Sequence, residues 1–274
     1  VNVARALRLL GEPVIATGTA GGRAGTYIIE ELTSEGILND FVRIADESRT
    51  STAVIDPTGE MQTEINEIGP SVSAGELATL REKIDYLSKS AELFVLAGSL
   101  PRDVPVDFYA ELISHLRAKG MLTVVDVAGP PMRSALSSNP DLVSPNTREA
   151  EDVVGSEFGD ADDVAAGART LVEMGAANAL IHGGDGCVAC LKGEDGHHLY
   201  RAELPARSTA STIGSGDSFL AGYLAAWHRD ASHEEALSRA VGAGAANTKR
   251  LGAGRLDVAD LDAFSRMVRV ERLD

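Results

Sequence analysis

No apolar run in the 274-residue sequence approaches the roughly 20 residues that cross a bilayer, which argues against a membrane-spanning helix. Only two cysteines are present, too few for a disulfide framework. No secretory leader pattern is visible either, because the chain opens on an amphipathic helix, so the expected location is a reducing cytoplasm. Positive charge is also short: 25 Lys and Arg stand against 41 Asp and Glu, a formal net charge of −16. The basic stripe of a nucleic-acid binder is missing. An anionic ligand would have to be held by a few local arginines and helix N-termini against the overall field. The Gly-x-x-x-x-Gly-Lys-[Ser/Thr] string of a P-loop does not occur. Neither Gly214-Ser215-Gly216 nor Gly252-Ala253-Gly254 is followed by the third glycine of a dinucleotide fingerprint, which weakens a dehydrogenase reading. Low-complexity segments, internal repeats and long linkers are lacking as well.

What the sequence does have is alternation of helix and strand. Val3, Ala4, Leu7 and Leu10 recur at helical spacing, and Gly11 reads as a stop. Val14 to Thr17 reads as a short buried strand, before the glycine-rich Gly18 to Gly25 and a helix carrying Ile28, Ile29 and Leu32. From Phe41 to Asn66 two extended runs flank Asp56-Pro57-Thr58-Gly59, whose proline and glycine suit a β-turn. A hairpin in a small sheet is expected there, with a lid segment at about 41–68. Past Gly69-Pro70, Leu93–Ala97 and Leu122–Val127 are apolar runs of the kind that form buried parallel strands. Amphipathic stretches lie near 74–89, 105–118, 147–154 and 161–174, and further strands are expected at Leu180-Ile181, Cys187–Leu191 and His198–Ala202. The last third reads as mostly helical. The pattern predicts a doubly wound α/β fold, a mostly parallel sheet flanked by helices with a small β appendage, as a single domain over 1–274.

The segment Ser211 to Gly222, with Gly214-Ser215-Gly216-Asp217 at its centre, carries the most chemistry. Its glycines let the backbone turn tightly and approach a ligand. The first amides of the helix that follows point at whatever lies before them, with the dipole favouring negative charge. An acid there could take a proton from a hydroxyl while the amides hold a phosphoryl group. An ordinary glycine turn with Asp217 starting a helix fits the residues equally well. Asn146 and Glu149, one helical turn apart, could share a face near a metal, or could be an N-cap and a surface acid. The planar fork of Arg49 suits a phosphate, though alone it reads as a solvated charge. Cys187-x-x-Cys190, near His182, His197 and His198, has zinc or redox spacing. Three residues apart on a strand, however, the thiols face opposite ways, so packed strand cysteines are expected.

The string from Ser211 to Gly222 resembles the signature of the PfkB sugar kinases, within the ribokinase-like superfamily, at every position of that pattern. Gly18 to Gly25, Gly98-Ser99-Leu100-Pro101 and Pro145-Asn146-Thr147-Arg148-Glu149 also resemble family segments, in the family's order along nearly the whole chain. Ser48-Arg49-Thr50 and Thr63 to Pro70 are similar to the 1-phosphofructokinase and tagatose-6-phosphate kinase branch. The resemblance implies an ATP- and Mg²⁺-dependent kinase with Asp217 as base and the amides of Gly214, Ser215, Gly216 and Asp217 as an anion hole. It implies that Asn2, Arg49 and Ser99 meet the phosphosugar. Gly183, Gly186, Gly244 and Asn247 would meet the nucleotide, and Asn146 and Glu149 would organise Mg²⁺ through water. Fructose 1-phosphate, giving fructose 1,6-bisphosphate, is the favoured substrate, with tagatose 6-phosphate and fructose 6-phosphate as alternatives. Lids of this family often pair between subunits, so a homodimer is expected.

Three departures stand out. Ser144 occupies a position usually lysine, and Ile181-His182 replaces Ser-Leu before Gly183-Gly184-Asp185-Gly186. The family's first strand, substrate aspartate and Gly-Gly-Lys-Gly loop have no counterpart ahead of Asn2. The resemblance thus implies a truncated chain, and a non-catalytic nucleotide-binding fragment is the reading from another class.

Overall fold

The computed structural model describes residues 1–56, 61–184, 186–205, 211–250 and 252–274. They cluster into two compact units. The first comprises Val1–Leu80, Pro101–Asp103 and Leu204–Val268, and the second Arg81–Leu100, Val104–Glu203 and Arg269–Asp274.

In the first unit, α1 (Asn2–Leu9) buries Val3, Ala4 and Ala6. Its end is closed by amides of Leu10, Gly11 and Glu12 returning to the carbonyls of Ala6, Arg8 and Leu7 at 3.0, 3.1 and 3.0 Å, which satisfies groups a helix end would otherwise strand. Strand β1 (Ile15–Gly21) leads through α2 (Gly22–Ser34) to β2 (Leu38–Ile44), and the strands pair in parallel from Ile15–Leu38 to Gly21–Ile44. A helical crossover is what a parallel pair requires. Ala4, Ala16, Leu32 and Ile37 form a buried cluster on which Val14, Ile28 and Phe41 pack.

The expected lid therefore begins too early. Residues 41–44 belong to β2, where Val42 and Ile44 are buried on either side of exposed Arg43. The hairpin proper is β3 (Ser51–Asp56) and β4 (Met61–Asn66), antiparallel from Ser51–Asn66 to Asp56–Met61. Pro57, Thr58 and Gly59 of its expected turn lie outside the described residues. Helix α3 (Ala74–Leu87) then carries the chain out of the first unit.

The second unit contains β5 (Leu93–Ala97), α4 (Phe108–Ala118), β6 (Leu122–Asp126), α5 (Pro130–Leu136), β7 (Leu142–Val143), α6 (Thr147–Val154) and α7 (Ala161–Glu173). They are followed by β8 (Ala179–Gly183), β9 (Gly186–Lys192), β10 (His197–Glu203) and, from the chain's end, β11 (Arg269–Arg272). Seven strands lie in the order β11-β10-β9-β8-β7-β6-β5. β5 to β8 are mutually parallel, and β9, β10 and β11 are added antiparallel, so five of the seven point one way. Val124, Val125, Leu142, Val143 and Leu180 are wholly buried, as interior parallel strands demand.

Helices α8 (Ser215–Trp227), α9 (His233–Thr248) and α10 (Val258–Ser265) return to the first unit. Every residue of α8 from Ser218 to Ala226 is buried, so the helix is covered all round.

Candidate active site

Gly214 caps α8 with φ 74° and ψ 10°, a left-handed conformation that costs a non-glycine residue roughly 1–2 kcal/mol. A Cβ there would also lie 2.6 Å from Cα of Ala253, so the two backbones meet only because Gly214 has none. The turn draws the Ser215 amide back to the carbonyl of Thr212 at 3.1 Å, and its hydroxyl donates to the same oxygen at 2.8 Å. The Ser215 amide, one of the four expected to form an anion hole, is thus engaged within the turn. The amides of Gly216 and Asp217 make no hydrogen bond among the described residues, as is usual for the first amides of a helix.

Asp217 lies in the first turn of α8, and its Oδ2 accepts a 3.0 Å hydrogen bond from Nδ2 of Asn2. Asn2, expected at the sugar, thus holds the acid, leaving its own Oδ1 available. Gly254, at φ 68°, lets the loop after α9 press on Asn2, whose carbonyl would be 2.6 Å from any Cβ.

Asn247 is completely buried. It donates to the carbonyl of Ile213 at 2.8 Å and accepts from the Ser218 hydroxyl and the Arg255 amide, each at 3.1 Å. The side chain, expected at the nucleotide, joins the turn before α8 to the loop after α9. Gly244 has a packing reason of its own: a Cβ would sit 3.2 Å from the Ser215 carbonyl.

Arg49 follows β2 in the same unit. Ser48 beside it is anchored twice to Gly21: its amide reaches the Gly21 carbonyl at 3.1 Å, and its hydroxyl accepts the Gly21 amide at 3.0 Å. Any side chain on Gly21 would collide with the Asp46 carbonyl, at 1.8 Å, and Glu47 accepts the Ala24 amide at 2.7 Å. The glycine-rich segment is therefore the bed on which residues 46–48 lie. Arg49 itself is exposed, with no ion pair among the described residues and no bond to Asp217 or Asn2. Arg102, unnoticed in the sequence, straps the same region by donating to Asp46 at 3.1 Å and to the Gly69 carbonyl at 2.9 Å. Hydrogen bonds from the Ser71 and Glu47 amides, with Arg102, hold the Asp46 carboxyl below its usual range.

In the second unit, Ser99 is exposed just past β5. The preceding Gly98 is fixed by its amide on Asp126 at 3.2 Å and by the Tyr109 hydroxyl on its carbonyl at 3.0 Å. Burial, aided by Asp126, pushes that hydroxyl up to about 12, so it remains a donor. Asn146 and Glu149 form a reciprocal capping box at the start of α6. The Glu149 amide donates to Asn146 Oδ1 at 3.0 Å, and the Asn146 amide to Glu149 Oε2 at 2.9 Å. That leaves Nδ2 of Asn146 and Oε1 of Glu149 without a partner among the described residues. Gly183 and Gly186 pair across the β8–β9 hairpin, where a Cβ would approach Thr147 Oγ1 at 2.6 Å and the Ala202 carbonyl at 2.3 Å, respectively. Asp185 between them lies outside the described residues. Ser99, Asn146, Glu149 and Gly183 all stand at the carboxyl ends of β5, β7 and β8, where parallel sheets bind ligands.

Burial pushes His182 down to about 4, against the opposing pull of the Ser144 backbone, so the ring is neutral. Cys187 and Cys190 are both buried in β9, and burial pushes the Cys187 thiol up to about 12. His197 meets the Ala177 carbonyl at 3.0 Å, and His198 lies between Asp195 and Arg272. Among the described residues no cluster of three or more His, Cys, Asp or Glu could hold a metal.

Residues 1–259 match the pfkB family carbohydrate kinases. The chain belongs to that family. This pfkB-family chain is 32% identical over 271 residues to the 1-phosphofructokinase of Borreliella burgdorferi, covering 99% of itself and 86% of that protein. Phosphofructokinase-2 from Escherichia coli, solved with potassium, superposes with a TM-score of 0.88 at 28% identity, over 97% of this chain and 85% of that one. A possible 1-phosphofructokinase from Thermotoga maritima shares the fold at a TM-score of 0.89 and 23% identity, covering 100% and 86%. The fold is thus the ribokinase-like α/β arrangement with a mostly parallel sheet, and the family is one of sugar-kinase phosphotransferases.

Proposed function

We propose that this pfkB-family enzyme transfers the γ-phosphoryl of ATP to the 6-hydroxyl of fructose 1-phosphate, giving fructose 1,6-bisphosphate. The observation that carries the reading is the Asp217 carboxylate beside the unengaged Gly216 and Asp217 amides at the start of α8. Asn2 holds Oδ2, which leaves Oδ1 to accept the hydroxyl proton as the sugar oxygen attacks. The two amides and the helix dipole steady the phosphoryl group in transit. Arg49, exposed and unpaired among the described residues, takes the sugar's own phosphate. The relative named 1-phosphofructokinase supports the choice of sugar. A comparison of kcat/KM among fructose 1-phosphate, tagatose 6-phosphate, fructose 6-phosphate and ribose tests it. Fructose 1-phosphate should lead, and a clear preference for ribose would defeat the assignment.

Mg²⁺ would offset the charge of the nucleotide phosphates, and the free Oε1 of Glu149 suits an ion that keeps most of its ligands as water and phosphate. Glu149→Gln separates the two tasks of this residue, because Gln completes a capping box as Glu does. Thermal unfolding should be unchanged while the Mg²⁺ concentration for half-maximal activity rises on the order of tenfold. Chelator should abolish turnover in the parent. An unaltered Mg²⁺ requirement in the variant would leave Glu149 as a cap alone.

The hairpin Ser51–Asp56 and Met61–Asn66 is the proposed lid and dimer contact, with Val54 and Ile65 exposed on it. Sedimentation velocity should find a dimer, and a monomer at all concentrations would remove the lid contact. Among the described residues no helix is long and apolar enough to cross a membrane, and a cytoplasmic location is proposed with the function.

A further inference from the structure

The first unit holds a cavity of about 480 Å³ on α1, the α2–β2 turn and the loop after α9. That volume is within the range of small-molecule sites. Four arginines line it, Arg5, Arg8, Arg250 and Arg255, with Glu35 as the one carboxylate. Such a gathering is against the trend of a chain with formal charge −16.

The charges are unequally neutralised. Glu35 binds Arg5 at 2.6 Å and reaches Arg255 only at 3.8 Å. Arg250 is held by Asp257 at 3.0 Å and Asp260 at 3.7 Å, on the side of α10. Arg8 has no ion pair among the described residues. It lies one turn from Arg5 on the same face of α1, where like charges repel and destabilise a helix. Arg8 and Arg255 thus present planar forks with little to answer them, which suits a phosphate or carboxylate. Leu9, Ile37 and Leu256 supply an apolar floor. Neither Asp217 nor Arg49 is among the lining residues, so the cavity is separate from the reaction site.

We propose that this cavity is a second anion site that takes a small organic phosphate, its charged end between Arg8 and Arg255 and its carbon skeleton on the apolar floor. Its walls also govern the base. α1 carries Asn2, the partner of Asp217, and the loop that contributes Gly254 and Arg255 touches Asn2, Gly214 and Asn247. Occupancy therefore bears on the position of Asp217 and acts on turnover.

Calorimetric titration of the full chain with phenyl phosphate and with inorganic phosphate, at low salt, tests the site. Phenyl phosphate should bind more tightly than inorganic phosphate. The double variant Arg8→Ala/Arg255→Ala should weaken it tenfold or more with the circular dichroism spectrum unchanged, since both side chains are exposed. Arg49→Ala should retain this binding. Parent-like affinity in the double variant, or loss in Arg49→Ala alone, would assign the phosphate to the reaction site and overturn the proposal. The second readout rests on the kinase reading, whereas binding does not. Saturating phenyl phosphate should change kcat at least twofold in the parent and leave it unchanged in the double variant. Competition at the reaction site would raise KM alone, and that result would overturn the effector role.

Discussion

Asp217→Asn lowers kcat by about 10²–10⁴, the usual worth of a general base, with KM for both substrates within a few-fold of the parent. Asn has the same size, and its Oδ1 can still accept the hydrogen bond that Asn2 donates at 3.0 Å. The Gly216 and Asp217 amides are backbone groups and stay in place. Only basicity is removed, so the loss falls on a step made in the transition state. A purely structural Asp217 predicts something else. In the first turn of α8 its charge gains roughly 0.3–1 kcal/mol from the helix dipole, and losing that shifts the unfolding temperature slightly without touching turnover. Steady-state kinetics beside a thermal melt separates the two. Turnover within a few-fold of the parent would end the base assignment.

Replacing Arg49 with Ala should raise KM for the phosphosugar by about 10- to 100-fold and leave KM for ATP nearly unchanged. A charged hydrogen bond contributes roughly 1.5–3 kcal/mol, and about 1.4 kcal/mol is tenfold in binding. The exposed guanidinium has no ion pair among the described residues, so its loss should not alter the melt. Arg49→Lys should recover part of the affinity, because an ammonium supplies charge but not the two-pronged geometry. Equal rises for both substrates would make Arg49 a structural residue.

Elements whose signal is local were legible from the sequence. Leu93–Ala97 and Thr147–Val154 appear at the bounds their apolar run and periodicity give. Arg43 alternates with buried Val42 and Ile44, a strand pattern read correctly as extended but assigned to the hairpin, since parallel pairing with Ile15–Gly21 leaves no local mark. α5, Pro130–Leu136, has no counterpart among the expected helices; it is only seven residues long and opens on Pro130-Pro131, which suit a first helical turn. β11, Arg269–Arg272, is polar and pairs only with β10, so it lacks the apolar signature of an interior strand. In the site, the glycine turn ahead of Asp217 was readable because glycine is the residue that takes up the left-handed conformation of Gly214 without steric cost. The tasks of Asn2 and Asn247 were not, since their partners lie 215 and 34 residues away. An asparagine gives no sign in sequence of whether it will meet a ligand or a carbonyl.

The bond between Asn2 and Asp217 also sets a clock on biosynthesis. Its partners are separated by 215 residues, and a ribosome adding 5–20 residues per second needs about 10 to 40 s to bring out the second after the first. Gly254, whose bare backbone seats Asn2, emerges later still. Through that interval the nascent α1 lacks α8, one of the elements it packs against in the finished protein. Closure of so long a loop is slow compared with local pairing. The carboxylate proposed as the base therefore meets its Asn2 partner only after residue 217 has been made.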